Sequence, residues 1–324
     1  MAEWFVEEGI GEDRAIRLEG GEIIAARVDW PGTLAAGQVE AAVLISRTSG
    51  SKRGTLRFAG GEEALVDNLP ATAGEGTGYN AEVTRAAIAE KGRNKRAQAR
   101  LTTAPPRPAP SLTERLRGEG HAVRIVRRFP ACGWEDLFDE AWNGTIAFAG
   151  GSLTITPTPA MTLIDVDGTA LPPSLAKAAV PVIAGAIRRL DLAGSIGIDF
   201  PTLADRSDRR ALDESLAAAL ADWPHQATAM NGFGFVQLVA RLERPSLLHR
   251  FAQDRSGAAA RALLRRAEGV NEAGTILLTA HPAVRSATQP AWEAELARRT
   301  GRKLRWQEEP ALALAAGFAQ AVAS

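Results

Sequence analysis

Met161-Thr-Leu-Ile-Asp165-Val-Asp167-Gly168 and Gly194-Ser-Ile-Gly-Ile-Asp199-Phe200 are two apolar runs that close on acidic residues. Residues 169–193 between them are rich in Ala, Leu and Ile. Strand, helix and strand at this spacing predict a βαβ unit with parallel strands. Parallel strands end on the same sheet edge. Asp165, Asp167 and Asp199 are therefore expected at one rim, where α/β folds place their sites. Clustered carboxylates repel one another unless a cation or a proton sits between them. An oxygen-only set suits Mg²⁺ or Mn²⁺. Spacing alone leaves a second reading open, in which one Asp caps a following helix and the other pairs with Arg188 or Arg189.

The flanks extend the pattern in both directions. Thr145–Phe148, a Gly150-Gly151 turn and Ser152–Thr158 form a hairpin that delivers Asp165. Trp134–Trp142 (WEDLFDEAW) places Trp134, Leu137, Phe138, Ala141 and Trp142 on one helical face. The crossover helix is expected over 174–190, with a kink or break at Pro181. A helix over 208–221 and a buried strand over Met230–Leu242 complete a domain spanning 134–250. The tail, 251–324, alternates helix and strand as a small αβ domain.

The amino-terminal part reads differently. Residues 1–30 show short apolar bursts separated by Gly9–Gly11 and Gly20-Gly21, the mark of a hairpin or meander. Candidate strands at Gly37–Ser46, Gly54–Ala59, Ala64–Asp67, Gly78–Arg85 and Lys95–Thr102 suggest a small β-barrel of oligonucleotide-binding type over 31–104. Residues 105–133 begin with a Pro-rich linker. Ser111-Leu-Thr-Glu114 then has the pattern of a capping box, and residues 121–128 read as a short basic strand. The fold class is thus multidomain α+β with an α/β unit.

With 324 residues there is room for two or three domains. A formal net charge of zero gives no global attraction to nucleic acid. Charge is local instead. Arg85, Lys91, Arg93, Lys95, Arg96 and Arg100 cluster at the end of the barrel and suit a phosphate backbone, although the same pattern describes a solvated hairpin face. Phe58 and Tyr79 are the aromatics at hand for stacking bases. One cysteine, Cys132, excludes an internal disulfide and a Cys-rich zinc site. The first residues lack a signal-peptide pattern and no long apolar run occurs, so a cytoplasmic protein without a membrane span is expected. No nucleophile motif accompanies the four histidines.

The order of several motifs resembles the ribonuclease E/G family. They are Gly150-Gly-Ser-Leu-Thr-Ile, Met161-Thr-Leu-Ile-Asp165-Val-Asp167-Gly, Arg189-Leu-Asp-Leu-Ala-Gly-Ser-Ile-Gly-Ile-Asp199-Phe, Gly232-Phe-Gly-Phe-Val-Gln and Pro245-Ser-Leu. The resemblance runs from Trp134 to Leu247. It implies that the barrel is S1-like and binds RNA, and that Asp165 and Asp199 hold Mg²⁺. Asp167 stands where the family has an Asn beside the metal. The implied activity is Mg²⁺-dependent endonucleolytic cleavage of single-stranded RNA. Gly232, Gln237 and Thr202 replace an Arg, a Glu and an Asp of the family, which motivates an alternative: a catalytically impaired RNA-binding protein. The family's zinc-link motif is absent, which implies no structural zinc and a monomer or weak homodimer. The region before Trp134 is too short for the family's 5′-sensor domain.

Overall fold

The computed structural model describes residues 3–90 and 93–323. Three antiparallel strands open it, β1 (Glu3–Glu8), β2 (Asp13–Glu19) and β3 (Glu22–Asp29). Gly20 and Gly21 both take positive φ in the β2–β3 turn, a backbone conformation that other residues adopt only under strain.

Next come β4 (Val39–Arg47), β5 (Gly54–Phe58), β6 (Glu63–Val66), β7 (Gly78–Arg85), a hairpin of β8 (Ile88–Glu90) and β9 (Arg93–Lys95), and β10 (Ala97–Leu101). Five of these strands close into a barrel in the order β10-β6-β5-β4-β7. Alternating side chains such as Leu44, Leu56, Val66 and Val83 fill it. The backbone amide of Ala86 donates to the carbonyl of Glu243 at 3.2 Å and ties the barrel to the domain that follows.

Helix α1 (Leu112–Gly118) begins with the expected capping box: Ser111 Oγ accepts from the Glu114 amide, and the Glu114 carboxylate accepts from the Ser111 amide. Strand β11 (Val123–Ile125) then pairs in parallel with β1. Residues 105–133 are thus more than a connection, because they complete the amino-terminal sheet.

The central sheet is built from α2 (Trp134–Asn143), β12 (Thr145–Phe148), β13 (Gly151–Pro157), β14 (Thr162–Gly168), α3 (Pro172–Arg189), β15 (Ser195–Asp199), α4 (Arg206–Ala219), β16 (Gln226–Ala227) and β17 (Phe235–Val239). Its order is β12-β13-β14-β15-β17-β16. The β14–β15 pair is parallel and its other pairs are antiparallel. Ile164, Val166, Ile196, Ile198, Val236 and Leu238 alternate onto one face and share a core with Leu175, Ala179, Ile183 and Ile187 of α3. Ala26 and Val28 of β3 join the same core.

Two expectations need correction. Helix α3 is not broken at Pro181; burial of Ala179, Val180, Ile183 and Ala184 on both sides of the proline outweighs one missing backbone hydrogen bond. Met230–Leu242 is not one strand. Residues 231–234 form a tight turn, and regular pairing with β15 begins only at Phe235.

The last part contains α5 (Leu247–Gln253), α6 (Arg255–Glu268), β18 (Thr275–Ala280), α7 (Pro282–Ala287), α8 (Pro290–Thr300), β19 (Leu304–Glu308) and β20 (Phe318–Val322), with sheet order β19-β18-β20. Helix α6 fastens this domain to the beginning of the chain. The Arg261 guanidinium lies 4.0 Å from the Trp30 ring centre and 4.5 Å from that of Trp292, and its Nε donates to the Gly11 carbonyl. Arg265 pairs with the buried Glu7 at 3.0 Å and with Glu135 at 2.9 Å. Among the described residues no helix is long and apolar enough to cross a membrane.

Ile164 has no exposed surface. Ile164→Ala should cost about 2–5 kcal/mol through lost contacts and a residual cavity. Leu171→Ala, at 76% exposure, should change stability by less than about 0.5 kcal/mol. Urea unfolding of both variants checks the contrast; equal losses would contradict the assigned core.

Candidate active site: an open carboxylate face

Strands β14 and β15 pair with Asp165 directly opposite Asp199. Partners opposite each other in a ladder point to the same sheet face, and residues two apart on one strand do as well. Asp165, Asp167 and Asp199 therefore share one face, the one turned away from α3. The sequence-predicted juxtaposition is present. Asp165 is half-buried, while Asp167 and Asp199 are exposed.

The charges are uncompensated. Among the described residues none of the three aspartates forms an ion pair. Arg188 pairs with Asp222, and Arg189 with Glu140 at 2.9 Å, so the partners of the alternative reading are engaged elsewhere. Neither Asp165 nor Asp199 caps a helix: the N-cap residues of α3 and α4 are Leu171 and Asp205. Desolvation holds the Asp165 carboxyl above its ordinary range, reinforced by the charge of Asp167, a hydrogen bond with it, and the charge of Asp199.

Among the described residues no group of three or more Asp, Glu, His or Cys side chains converges on one point. Mg²⁺ does not require such a cage, since it commonly keeps several waters and takes one or two carboxylates. The in-register pair Asp165–Asp199 has the right chemistry for that role, all-oxygen and anionic, with an open side for water or substrate.

The rest of the face is neutral. On β13, Thr154 lies opposite Asp165 and Ser152 opposite Asp167, which brings two hydroxyls beside the carboxylates. Further down the strands sit Leu163 and Gly197, and Phe235 lies directly opposite Asp199 on β17. A Cβ at Gly197 would meet the Phe235 ring at 2.6 Å and the Met161 sulfur at 2.7 Å, so the glycine leaves room for an apolar bed. The Gln237 amide donates to Ser195 Oγ at 3.1 Å, and Thr202 Oγ1 donates to the Phe233 carbonyl at 3.4 Å.

Sequence reading missed Phe233. Asn231 Oδ1 accepts from the amides of Phe233 and Phe235 at 2.9 and 3.1 Å, and the turn holds the Phe233 side chain 83% exposed. Gly234 takes a φ of +92°, and a Cβ there would lie 2.3 Å from the Phe200 carbonyl oxygen. The Asn231-Gly232 dipeptide was the available turn signal.

The basic cluster belongs to the barrel and its hairpin. Arg96 pairs with Glu63 at 3.4 Å and Arg100 with Glu82 at 2.7 Å. Arg85 donates to the Arg96 carbonyl. Arg93 and Lys95 are the ends of β9, and Lys91 lies outside the described residues. Phe58 is buried in the barrel core and Tyr79 is partly packed on it, so Phe58 cannot stack a base as its sequence position suggested. No family model and no curated protein matches the chain.

A carboxyl whose pKa is raised by folding favours the native state at low pH and loses that contribution as pH rises through the folded value. Without divalent ions, Asp165→Asn should therefore raise the urea midpoint at pH 7. The gain should disappear at acid pH, where the native aspartate is protonated. A constant gain at all pH values would show that the ionised, desolvated carboxylate is not its cause.

Proposed function

We propose that the chain is a Mg²⁺-dependent endoribonuclease of the ribonuclease E/G type, acting on single-stranded RNA, with an S1-like barrel as an accessory RNA-binding module. The observation that carries this reading is the in-register pair Asp165–Asp199 on an open sheet face, with no cationic side chain among the described residues paired to it. Mn²⁺ suits the same donors. A bound divalent ion would supply charge neutralisation at the phosphodiester and a more acidic water.

The chain's own groups have separate tasks. Asp165 and Asp199 hold the ion from adjacent strands, so both are fixed by backbone pairing rather than by long side chains. Asp167 lies beside Asp165 and adds negative charge there. Thr154 and Ser152 offer hydroxyl donors to phosphate oxygens on the β13 side. The open face admits an extended strand, whereas a closed pocket would admit only a mononucleotide. No side chain is required as a nucleophile.

One observation favours the alternative of an RNA-binding protein without cleavage activity. Gly232, Gln237 and Thr202 contribute no charge, and the last two are engaged in hydrogen bonds within the fold. This leaves phosphate contacts near Asp199 to neutral donors and to the ion itself.

Purified protein incubated with A/U-rich single-stranded RNA should cleave it with Mg²⁺ and not with EDTA. Asp165→Asn and Asp199→Asn should each lower the rate at least about 100-fold, as loss of a direct ion ligand exceeds the loss of a supporting one. Cleavage that survives Asp199→Asn would remove this site from the mechanism. RNA binding without cleavage would select the alternative. Mn²⁺ should raise the melting temperature of the wild type and have less effect on either variant.

A further inference from the structure

The end of the central sheet opposite the carboxylates opens into a pocket of about 360 Å³. It is lined by Trp4, Arg17, Arg27, Arg188, Trp223 and Arg241, among others. The pairing of Ser195 with Val239 marks this end of β15, and Asp199 marks the other. Four residues further along a strand is roughly 13 Å, so the pocket is separate from the carboxylate face.

Its charges do not balance. Asp191 takes Arg244 at 2.6 Å, Glu243 takes Arg241 at 3.1 Å, and Asp222 takes Arg188. Glu119, just outside, takes Arg27 at 2.8 Å. These acids are thus each paired with another arginine. Arg17 is left over. Among the described residues it has no hydrogen-bond acceptor and no ion pair, and its Nε is sealed from water without a partner. A sealed Nε–H without an acceptor is costly. Two tryptophans, Trp4 and Trp223, stand among the lining residues. Trp4 is 3% exposed and its indole Nε1 is also without a partner. Trp223 stacks on His225 with ring centres 5.1 Å apart.

We propose that this pocket binds a nucleoside monophosphate, with the phosphoryl group on Arg17 and the base against Trp223. The guanidinium fork matches phosphate oxygens, and an aromatic face accepts any base. Size favours the nucleotide over free phosphate: cavities of roughly 300–1,000 Å³ hold small organic ligands, and orthophosphate would leave most of this one to water. The inference is independent of RNA cleavage and stands or falls without it.

Isothermal titration with AMP, adenosine and orthophosphate tests it. AMP should bind at one site, and adenosine and orthophosphate more weakly. Arg17→Gln should weaken AMP binding about ten- to hundredfold, the range for loss of a charged hydrogen bond. Trp223→Ala should weaken AMP and leave orthophosphate unchanged. Arg210→Gln, in an exposed pair on α4, should change nothing. Three results would overturn the proposal: no binding at millimolar AMP, orthophosphate binding as tightly as AMP, or AMP binding unaltered in Arg17→Gln. If Arg17→Gln melts below the assay temperature, Arg17→Lys makes the same test, because it keeps the charge and loses the fork.

Discussion

The parallel pairing of β14 with β15 governs the molecule. In this register Ile164 and Ile198 face α3 from neighbouring strands, and Asp165 and Asp199 stand together on the opposite face. A slip of one residue would turn one strand's aspartates into the core and its isoleucines out. Burial of the isoleucines therefore fixes the position of the carboxylates. The repulsion felt by Asp165 is tolerated because the apolar side of the same strands outweighs it. A site of this kind is preformed: its geometry belongs to the sheet and needs no loop to close.

Much of this was legible in the sequence, because period-two alternation and acidic run ends state both the face and the rim. Barrel strands were legible for the same reason, with Gly and Asn breaks between them. What was hidden has identifiable causes. Val123–Ile125 reads as an isolated basic strand, and nothing local reveals that its partner is β1. Phe233 sits between two glycines inside a stretch rich in apolar residues; the Asn231 side chain, acting on two later amides, and the positive φ of Gly234 break the strand there and turn the ring outward. Pro181 reads as a helix breaker, yet tertiary burial on both sides carries the helix through it.

Arginine has a second role in this fold besides charge. The sequence shows many arginines and a net charge of zero, which invites a search for a basic surface. In the structure many of them are joints. Arg14 is almost fully buried between Glu7 and Glu12, and burial lowers its pKa in spite of both acids. Arg244 clamps Asp191 beneath the end of α3, and Arg265 spans Glu7 and Glu135. Residues spent in this way cannot serve nucleic acid. Counting basic residues along the barrel therefore overstates its free positive charge, as the pairs Arg96–Glu63 and Arg100–Glu82 show.

The Arg261 sandwich between Trp30 and Trp292 has a consequence in time. A ribosome delivers Trp30 long before Trp292, and the cation that links them only shortly before the latter. The first sheet also waits for Val123–Ile125 before β1 gains its parallel neighbour. Contacts so distant along the chain form slowly. The opening strands thus remain incompletely covered until the later residues have been made, and are exposed to aggregation in that interval.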